Sequence, residues 1–541
     1  QAFGLKAKEF TETQIIGKEI RVEYSATDFY GRLIGSVVLS QGKVLNEELV
    51  RNGLAWYYRV APTNNTTFER LEYDAWKKKL GFWVVAFSSR ATGESAWLLL
   101  GLTGMGAMAG VSAFWVVVGE VIGVSAAWFL MAKPFKKLTN DYKSITIPDY
   151  LVSRFKSKTH TLRKIAAALL SFFVVIYVSA QIDATGSAFE AFLGWDYYTG
   201  AIVGFLIVLT YIFSGGFVAV AWSDLFQGLL MLFGLLLLPT VAWYLISEPS
   251  LFEGIRAIDP ELMNIWGAGG LTTVNIFAIL GFMMIGLGFM GSPQLFVRFM
   301  SIKDVSEINK GRWVAIGFTI LTDSAAVMVG IIGRYYFSET GVDIESTLGN
   351  GAQNVLSMLV SDVMPTILVG LYVAVVLSAI MSTIDSLLVV ASSAITRDYY
   401  QQIMHPDADD KTLTSLSRKV TIIMALIALT ISLTISVLSP DRTIFWFVIF
   451  GWSGIAATFC PVMILSLFWK GYTEKGAIAS MITGFLCVPL FKFGATRIPE
   501  YGILFEKMDV MLPSFLFAML AGFIISKLDD KQQGLMIDVH K

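Results

Sequence analysis

The sequence predicts an all-α protein that crosses a membrane many times, preceded by a small α+β piece, and three observations carry that reading. The 541 residues are 55% apolar and only 15% charged, against roughly 25% charged in soluble proteins, and the mean hydropathy is +0.64. From residue 83 onward long apolar runs follow one another across short polar joints, whereas before it charged and apolar residues mix as in a water-soluble chain. Forty-one Lys and Arg against 42 Asp and Glu leave a net charge of -1, so no basic field exists to attract nucleic acid. Cys460 and Cys487 lie in apolar runs, and His160, His405 and His540 are scattered, which excludes a disulfide scaffold and a zinc or haem site.

Residues 1–82 form the first expected unit, 83–528 the membrane domain and 529–541 a tail. The chain opens on Gln1 with nothing near it of the charged, apolar, small-residue order of a secretory signal, as expected of a chain that starts mid-gene or is processed. Twelve apolar segments then follow, at 83–107, 111–132, 164–190, 197–215, 217–247, 276–297, 312–337, 362–395, 416–438, 443–469, 474–493 and 508–526. In lipid a backbone has no partner outside itself, so each is expected to be a helix. Lys and Arg concentrate in the joints after segments 2, 6, 8 and 10 and in the tail, as in Lys133, Lys136, Lys137 and Lys143 after segment 2, while the opposite joints hold few. That asymmetry places both chain ends in the cytoplasm of a cell-membrane protein.

Two segments read as interrupted helices. Segment 1 carries Ser88-Ser89-Arg90-Ala91-Thr92-Gly93-Glu94-Ser95 between apolar halves, and segment 6 carries Gly286-Leu287-Gly288-Phe289-Met290-Gly291-Ser292-Pro293, where Gly weakens a helix and Pro293 removes a donor. The interruptions lie five segments apart, the spacing of two inverted five-helix repeats whose paired broken helices expose carbonyls to a cation and amides to a solute. The competing reading is that Gly and Ser only let helices pack closely. In segment 8, Ala379, Ser382, Thr383 and Ser386 share one helix face, and their hydroxyls, set against freed carbonyls, would suit a hard cation such as Na⁺; Ser and Thr otherwise bond back to their own helix.

Arg90, Glu94, Glu120, Asp183, Asp224, Asp323 and Asp385 fall at membrane depth, where ionisable groups face the interior with a partner. Arg90 and Asp183 are expected as a buried pair, or else as partners for the carboxylate or ammonium of an amino-acid solute. Glu120 and Asp323 receive no role.

Beyond residue 83 the chain resembles the sodium/solute symporter family, nearest to sodium/proline symporters. The resemblance rests on Glu94-Ser95-Ala96-Trp97-Leu98-Leu99-Leu100-Gly101, Ile147-Pro148-Asp149-Tyr150-Leu151, Tyr211-Ile212-Phe213-Ser214-Gly215-Gly216-Phe217, Gly291-Ser292-Pro293 with Arg298-Phe299-Met300, Ala379-Ile380-Met381-Ser382-Thr383, and Gly476-Ala477-Ile478-Ala479. It implies a leucine-transporter-like core and a sodium ion held by the carbonyls of Ala91, Glu94 and Ala379 with the hydroxyls of Ser382 and Thr383. Some members add a second sodium near an aspartate on the fifth helix, here Asp224, with Ser386 beside it. The solute is expected near the breaks, among Ser95, Trp97, Tyr177, Gln181, Phe289 and Pro293. Where sodium/proline symporters carry an aspartate in the first core helix this chain has Gly93, and where they carry Trp and Tyr on the sixth it has Ile285 and Phe289. The family's additional helix before the first core helix has no counterpart among these twelve segments.

Residues 1–82 resemble the C-terminal half of a thermonuclease-like, OB-type domain, through Thr27-Asp28-Phe29-Tyr30-Gly31-Arg32, Gly42-Lys43-Val44-Leu45-Asn46-Glu47-Glu48-Leu49-Val50, Asn52-Gly53-Leu54-Ala55-Trp56 and Lys79-Leu80-Gly81-Phe82-Trp83. Arg32 matches one catalytic arginine. The strands that would carry the metal-binding aspartates, the second arginine and the general-base glutamate have no match, so phosphodiester hydrolysis is not expected. The expected function is Na⁺-coupled import of a small organic solute, most plainly an amino acid of the proline type, with lipid as the surroundings and no nucleic acid or obligate protein partner. The alternatives are a Na⁺ symporter for a sugar, sialic acid or carboxylate, and, of another class, a membrane-tethered nuclease or a solute sensor.

Overall fold

A computed structural model describes residues 2–27, 33–40, 42–52, 55, 80–212, 217–246, 251–338 and 343–529. Two units result, one of residues 1–82 with 301–307, the other of the remaining chain.

In the first unit, helix Ala2–Ile15 precedes an antiparallel pair, Ile20–Thr27 with Leu33–Leu39, registered from Ile20 opposite Leu39 to Thr27 opposite Leu33 and irregular between Tyr24 and Ala26. Helix Leu45–Arg51 follows, and Leu39, Leu45 and Val50 are buried. Asn46 ties that helix to the second strand, its Oδ1 accepting from Val37 N and its Nδ2 donating to the Gly35 carbonyl. Two strands cannot close a barrel, and these are the strands among the described residues. Arg32, Gly53, Leu54 and Trp56 of the thermonuclease-like motifs lie outside the described residues, as do residues 530–541 of the tail and Phe213 to Gly216.

The second unit is helical. Ten described helices are long and apolar enough to cross a membrane, and Tyr197–Ile212, segment 4, is a shorter apolar one. Segment 1 divides into helix Phe82–Gly93 and a helical stretch from Trp97 to Ala109, after which Gly110, at φ +59°, turns the chain into segment 2. Twelve expected segments thus appear as ten long helices, a short one and a divided one. Segment 8 begins later than expected, at Thr366, because Pro365 at its N-cap closes off a separate helix, Val355–Val363.

Segment 3 (Thr161–Leu193) packs against segments 4, 8, 9 and 10, and segment 6 against segments 2 and 10. The apolar window of segment 10 (Ile444–Phe468) is 89% buried and that of segment 9 only 28%. Segment 10 therefore belongs to the interior, while segment 9 turns Ile423, Leu426 and Ile427 outward, where lipid is as good a solvent as another helix. Segments 2 and 6 meet backbone to backbone. A Cβ on Gly123 would lie 1.9 Å from the Gly286 carbonyl oxygen, and one on Gly286 1.9 Å from that of Gly119. Close packing through glycine is thus real in segment 6, and it coexists with the interruption there.

Candidate functional site: a break in segment 1 facing segment 8

Segment 1 leaves helical geometry after Gly93 and resumes as a wide turn over Trp97–Leu102. Every backbone group released there needs a partner, since lipid supplies none. The Ala96 N–H, which an unbroken helix would direct to the Thr92 carbonyl, donates instead to Gln181 Oε1 at 3.1 Å. Gln181 Nε2 donates in turn to Ser95 Oγ at 3.1 Å, and Ser95 Oγ lies 3.3 Å from the Tyr177 hydroxyl. Trp97 Nε1 covers the Gly93 carbonyl at 2.9 Å. Segment 3, through Tyr177 and Gln181, therefore holds the break open.

The carbonyls of Ala91 and Thr92 turn to segment 8. Ser382 Oγ lies 2.9 Å from the Ala91 carbonyl and 3.1 Å from that of Ala379. Thr383 Oγ1 lies 3.2 Å from the Thr92 carbonyl and 3.1 Å from the same Ala379 carbonyl. All these residues are buried. Each hydroxyl has one proton to give and two carbonyls within reach, so acceptors outnumber donors in this buried group of oxygens. Such a surplus suits a small hard cation.

The arrangement brings together Ala91, Ala379, Ser382 and Thr383 as the sequence anticipates and adds the Thr92 carbonyl. Glu94 is not among the contacts that define this cage; its N–H donates to the Arg90 carbonyl and its side chain pairs with Arg90. Asp224 and Ser386 also meet, but around a guanidinium. Arg298 Nη2 donates to Asp224 Oδ2 at 2.8 Å and to Ser386 Oγ, Arg298 Nε donates to Ser88 Oγ at 2.7 Å, and Ser88 Oγ donates to Asp224 Oδ2 at 2.6 Å. Arg298 is 1% exposed. Counted by sequence as a joint charge, it points inward, and only its place in the run that resembles the family hinted at a role.

The expected Arg90–Asp183 pair does not form. Arg90 pairs with Glu94, one helical turn along its own segment, and with Glu120 of segment 2 at 3.2 Å. Asp183 is taken by Arg442 and by the Tyr197 hydroxyl, which donates to it at 2.6 Å. Burial opposes the charge on Arg442, but hydrogen bonds and attraction from Asp183 hold its pKa above the ordinary value. An i, i+4 partner is reached without spanning helices, which is why Glu94 wins the competition for Arg90.

Segment 6 is interrupted as expected, with a tight turn over Ile285–Met290 before helix Pro293–Ser301. Pro293 opens that second half, where its missing N–H costs nothing. The Ile285 carbonyl accepts from Trp452 Nε1 at 2.9 Å, and that of Gly288, which already accepts from the Ser292 N–H at 3.3 Å, lies 3.5 Å from the Cys460 Sγ donor. Phe289 packs 5.0 Å from Trp452, which lies 6.3 Å from Tyr177, and the Arg90 guanidinium sits 4.4 Å over the Phe289 ring. Ser95, Tyr177, Gln181 and Phe289 thus surround the two breaks through Trp452, which the sequence reading missed; its aromatic neighbours in an all-apolar segment gave no distinguishing signal. Trp97 faces Phe445 at 6.3 Å.

Comparison with known proteins bears on this geometry. The high-affinity proline transporter PutP of Bacillus subtilis (strain 168) is 33% identical over 488 residues, covering 90% of this chain and 97% of that protein. A sodium/proline symporter of Staphylococcus aureus is 30% identical over 485 residues, 88% of this chain and 90% of the relative. Among solved structures, a substrate-bound, outward-open Na⁺-coupled sialic acid symporter, 16% identical, superposes with a TM-score of 0.65 over 84% of this chain and 91% of that one, so the fold is shared. Residues 1–85 match the model of the staphylococcal nuclease homologue family. Residues 76–484 match the model of the sodium:solute symporter family, and the chain, a multi-pass membrane protein, belongs to that family.

Proposed function

We propose that this protein imports a small organic solute of the amino-acid class, proline or a close analogue, by coupling it to Na⁺ moving down its gradient. The observation that carries the reading is the meeting of the Ala91 and Thr92 carbonyls with the Ser382 and Thr383 hydroxyls across a broken helix; relatives that match most of this chain are described as a proline transporter and a sodium/proline symporter. Na⁺ is held there by the carbonyls of Ala91, Thr92 and Ala379 and by the two hydroxyls. The solute lies beside the breaks among Ser95, Trp97, Tyr177, Gln181, Phe289 and Pro293, with Trp452 behind Phe289. Because the cage and the solute pocket share residues 91–97, an ion in the cage fixes the break in the shape that the solute needs. Coupling follows when both ligands favour the same outward-facing conformation. Asp224 and Ser386 serve as the anchor of Arg298 in place of a sodium site.

Residues 1–82 and 83–528 act as separate domains, both chain ends face the cytoplasm of the cell membrane, and the N-terminal unit does not cleave nucleic acid. Lipid surrounds the membrane domain and no obligate protein partner takes part. Purified protein in lipid vesicles tests the central reading: labelled proline, challenged by a panel of amino acids, sugars and carboxylates, should accumulate only under an inward Na⁺ gradient. Equal accumulation with and without that gradient would sink it. A calcium-dependent DNA digestion assay on the same preparation should show no cleavage.

A further inference from the structure

Glu94 of segment 1, Glu120 of segment 2 and Asp323 of segment 7 bring one carboxylate oxygen each to within 4.8 Å of one another, all three residues fully buried. The cation among them is Arg90, which pairs with Glu94 and Glu120. Ionised together, three carboxylates against one guanidinium would leave an excess of negative charge at membrane depth, which a proton or a bound cation must balance. A separate observation shows where the balance is missing. Glu94 Oε2, Glu120 Oε1 and Asp323 Oδ2 are buried with no hydrogen-bond donor, and the Nε and Nη1 of Arg90 make no hydrogen bond either, so the guanidinium does not spend its remaining N–H groups on those oxygens. Hydroxyl support is limited to Thr322 Oγ1, which donates to Asp323 Oδ1 at 3.2 Å.

We propose that Glu94, Glu120 and Asp323 form a second Na⁺ site, distinct from the Ser382–Thr383 cage and from the Asp224 position that Arg298 fills. Oxygen-only, acidic and buried, the trio offers what a hard alkali cation requires. Its place gives it a function. Glu94 stands at the edge of the break in segment 1, its carboxylate beside those of segments 2 and 7, while the Ala91 and Thr92 carbonyls meet segment 8. An ion at each position would grip the same unwound stretch from opposite sides, so that both must be present before the solute pocket takes shape. The inference rests on the sodium-coupled reading above and sharpens it to two ions per solute.

The test is saturable ²²Na⁺ binding to the purified full chain without solute, run beside Na⁺-driven uptake. The wild type should saturate at two ions per chain. Glu120→Gln with Asp323→Asn should saturate at one, and Ser382→Ala with Thr383→Ala should also retain one. A wild type that saturates at one ion while showing Na⁺-driven uptake overturns this inference and leaves the transport reading standing; a wild type with neither binding nor Na⁺-driven uptake removes both. Should the carboxylate variant fail to fold, the hydroxyl variant decides alone: one residual ion supports the site, and none overturns it.

Discussion

The two broken helices are marked by different residues, a polar run over 88–95 and a glycine-rich one ending in Pro293, and they end in different chemistry. In segment 1 the freed carbonyls of Ala91 and Thr92 meet two hydroxyls that also reach Ala379, so oxygen acceptors exceed protons. In segment 6 the Gly288 carbonyl keeps backbone donors of its own turn, and the side chains that reach the Ile285 and Gly288 carbonyls, Trp452 Nε1 and Cys460 Sγ, each bring a proton. A break becomes a cation site or a closed joint according to what the facing helix brings. Gly, Ser and Pro mark where a helix can open; they do not say what it opens onto.

Several substitutions would break or sharpen this contrast. Ser382→Ala with Thr383→Ala removes two oxygen contacts to a charge, each worth about 1.5–3 kcal/mol, so the Na⁺ concentration for half-maximal uptake should rise by about 100-fold or more. Gln181→Ala strands the Ala96 N–H in a buried setting, at about 1–3 kcal/mol; a rise of roughly tenfold in the same Na⁺ measurement is expected, because the break itself is then free to refold. Gly286→Ala drives a methyl against the Gly119 backbone and should cost about 1–3 kcal/mol of stability, read as a lower midpoint of thermal unfolding in detergent, with Na⁺ half-saturation little moved. Trp452→Phe removes one donor at the closed joint and should cost about 1 kcal/mol, with Na⁺ half-saturation changed by less than about twofold. A large Na⁺ effect from Trp452→Phe, or none from Gln181→Ala, would erase the distinction between the two breaks.

Much of the architecture was legible in the sequence because membrane insertion imposes a one-dimensional rule: an apolar run of sufficient length must be a helix. The shared face of Ala379, Ser382 and Thr383 followed from helical periodicity; the interruption of segment 1 was expected across residues 88–95 from a polar run in lipid, and the helix in fact persists to Gly93 before it breaks. Partner choice among buried charges was less legible. Arg90 and Asp183 looked complementary in a list of intramembrane residues, yet Glu94 lies one turn from Arg90, and Arg442, set in a joint by composition, reaches Asp183. Arg298 shows the same limit, since a positive charge near a helix end reads as a surface residue until the helix is seen to turn it toward Asp224. Periodicity gives the face a residue occupies; which other helix occupies that face depends on packing between segments distant in sequence.

The most direct test of the account is the Na⁺ dependence of uptake across a graded series at one position, Thr383→Ser, Thr383→Ala and Thr383→Val. If the hydroxyl beside the Thr92 and Ala379 carbonyls ligates the ion, Thr383→Ser should stay within a few-fold of the wild type, while Thr383→Ala and Thr383→Val should both raise the half-saturating Na⁺ concentration by roughly tenfold or more, consistent with loss of one charge-assisted contact. Half-saturation that is unchanged in Thr383→Val, or lost equally in Thr383→Ser, would contradict it.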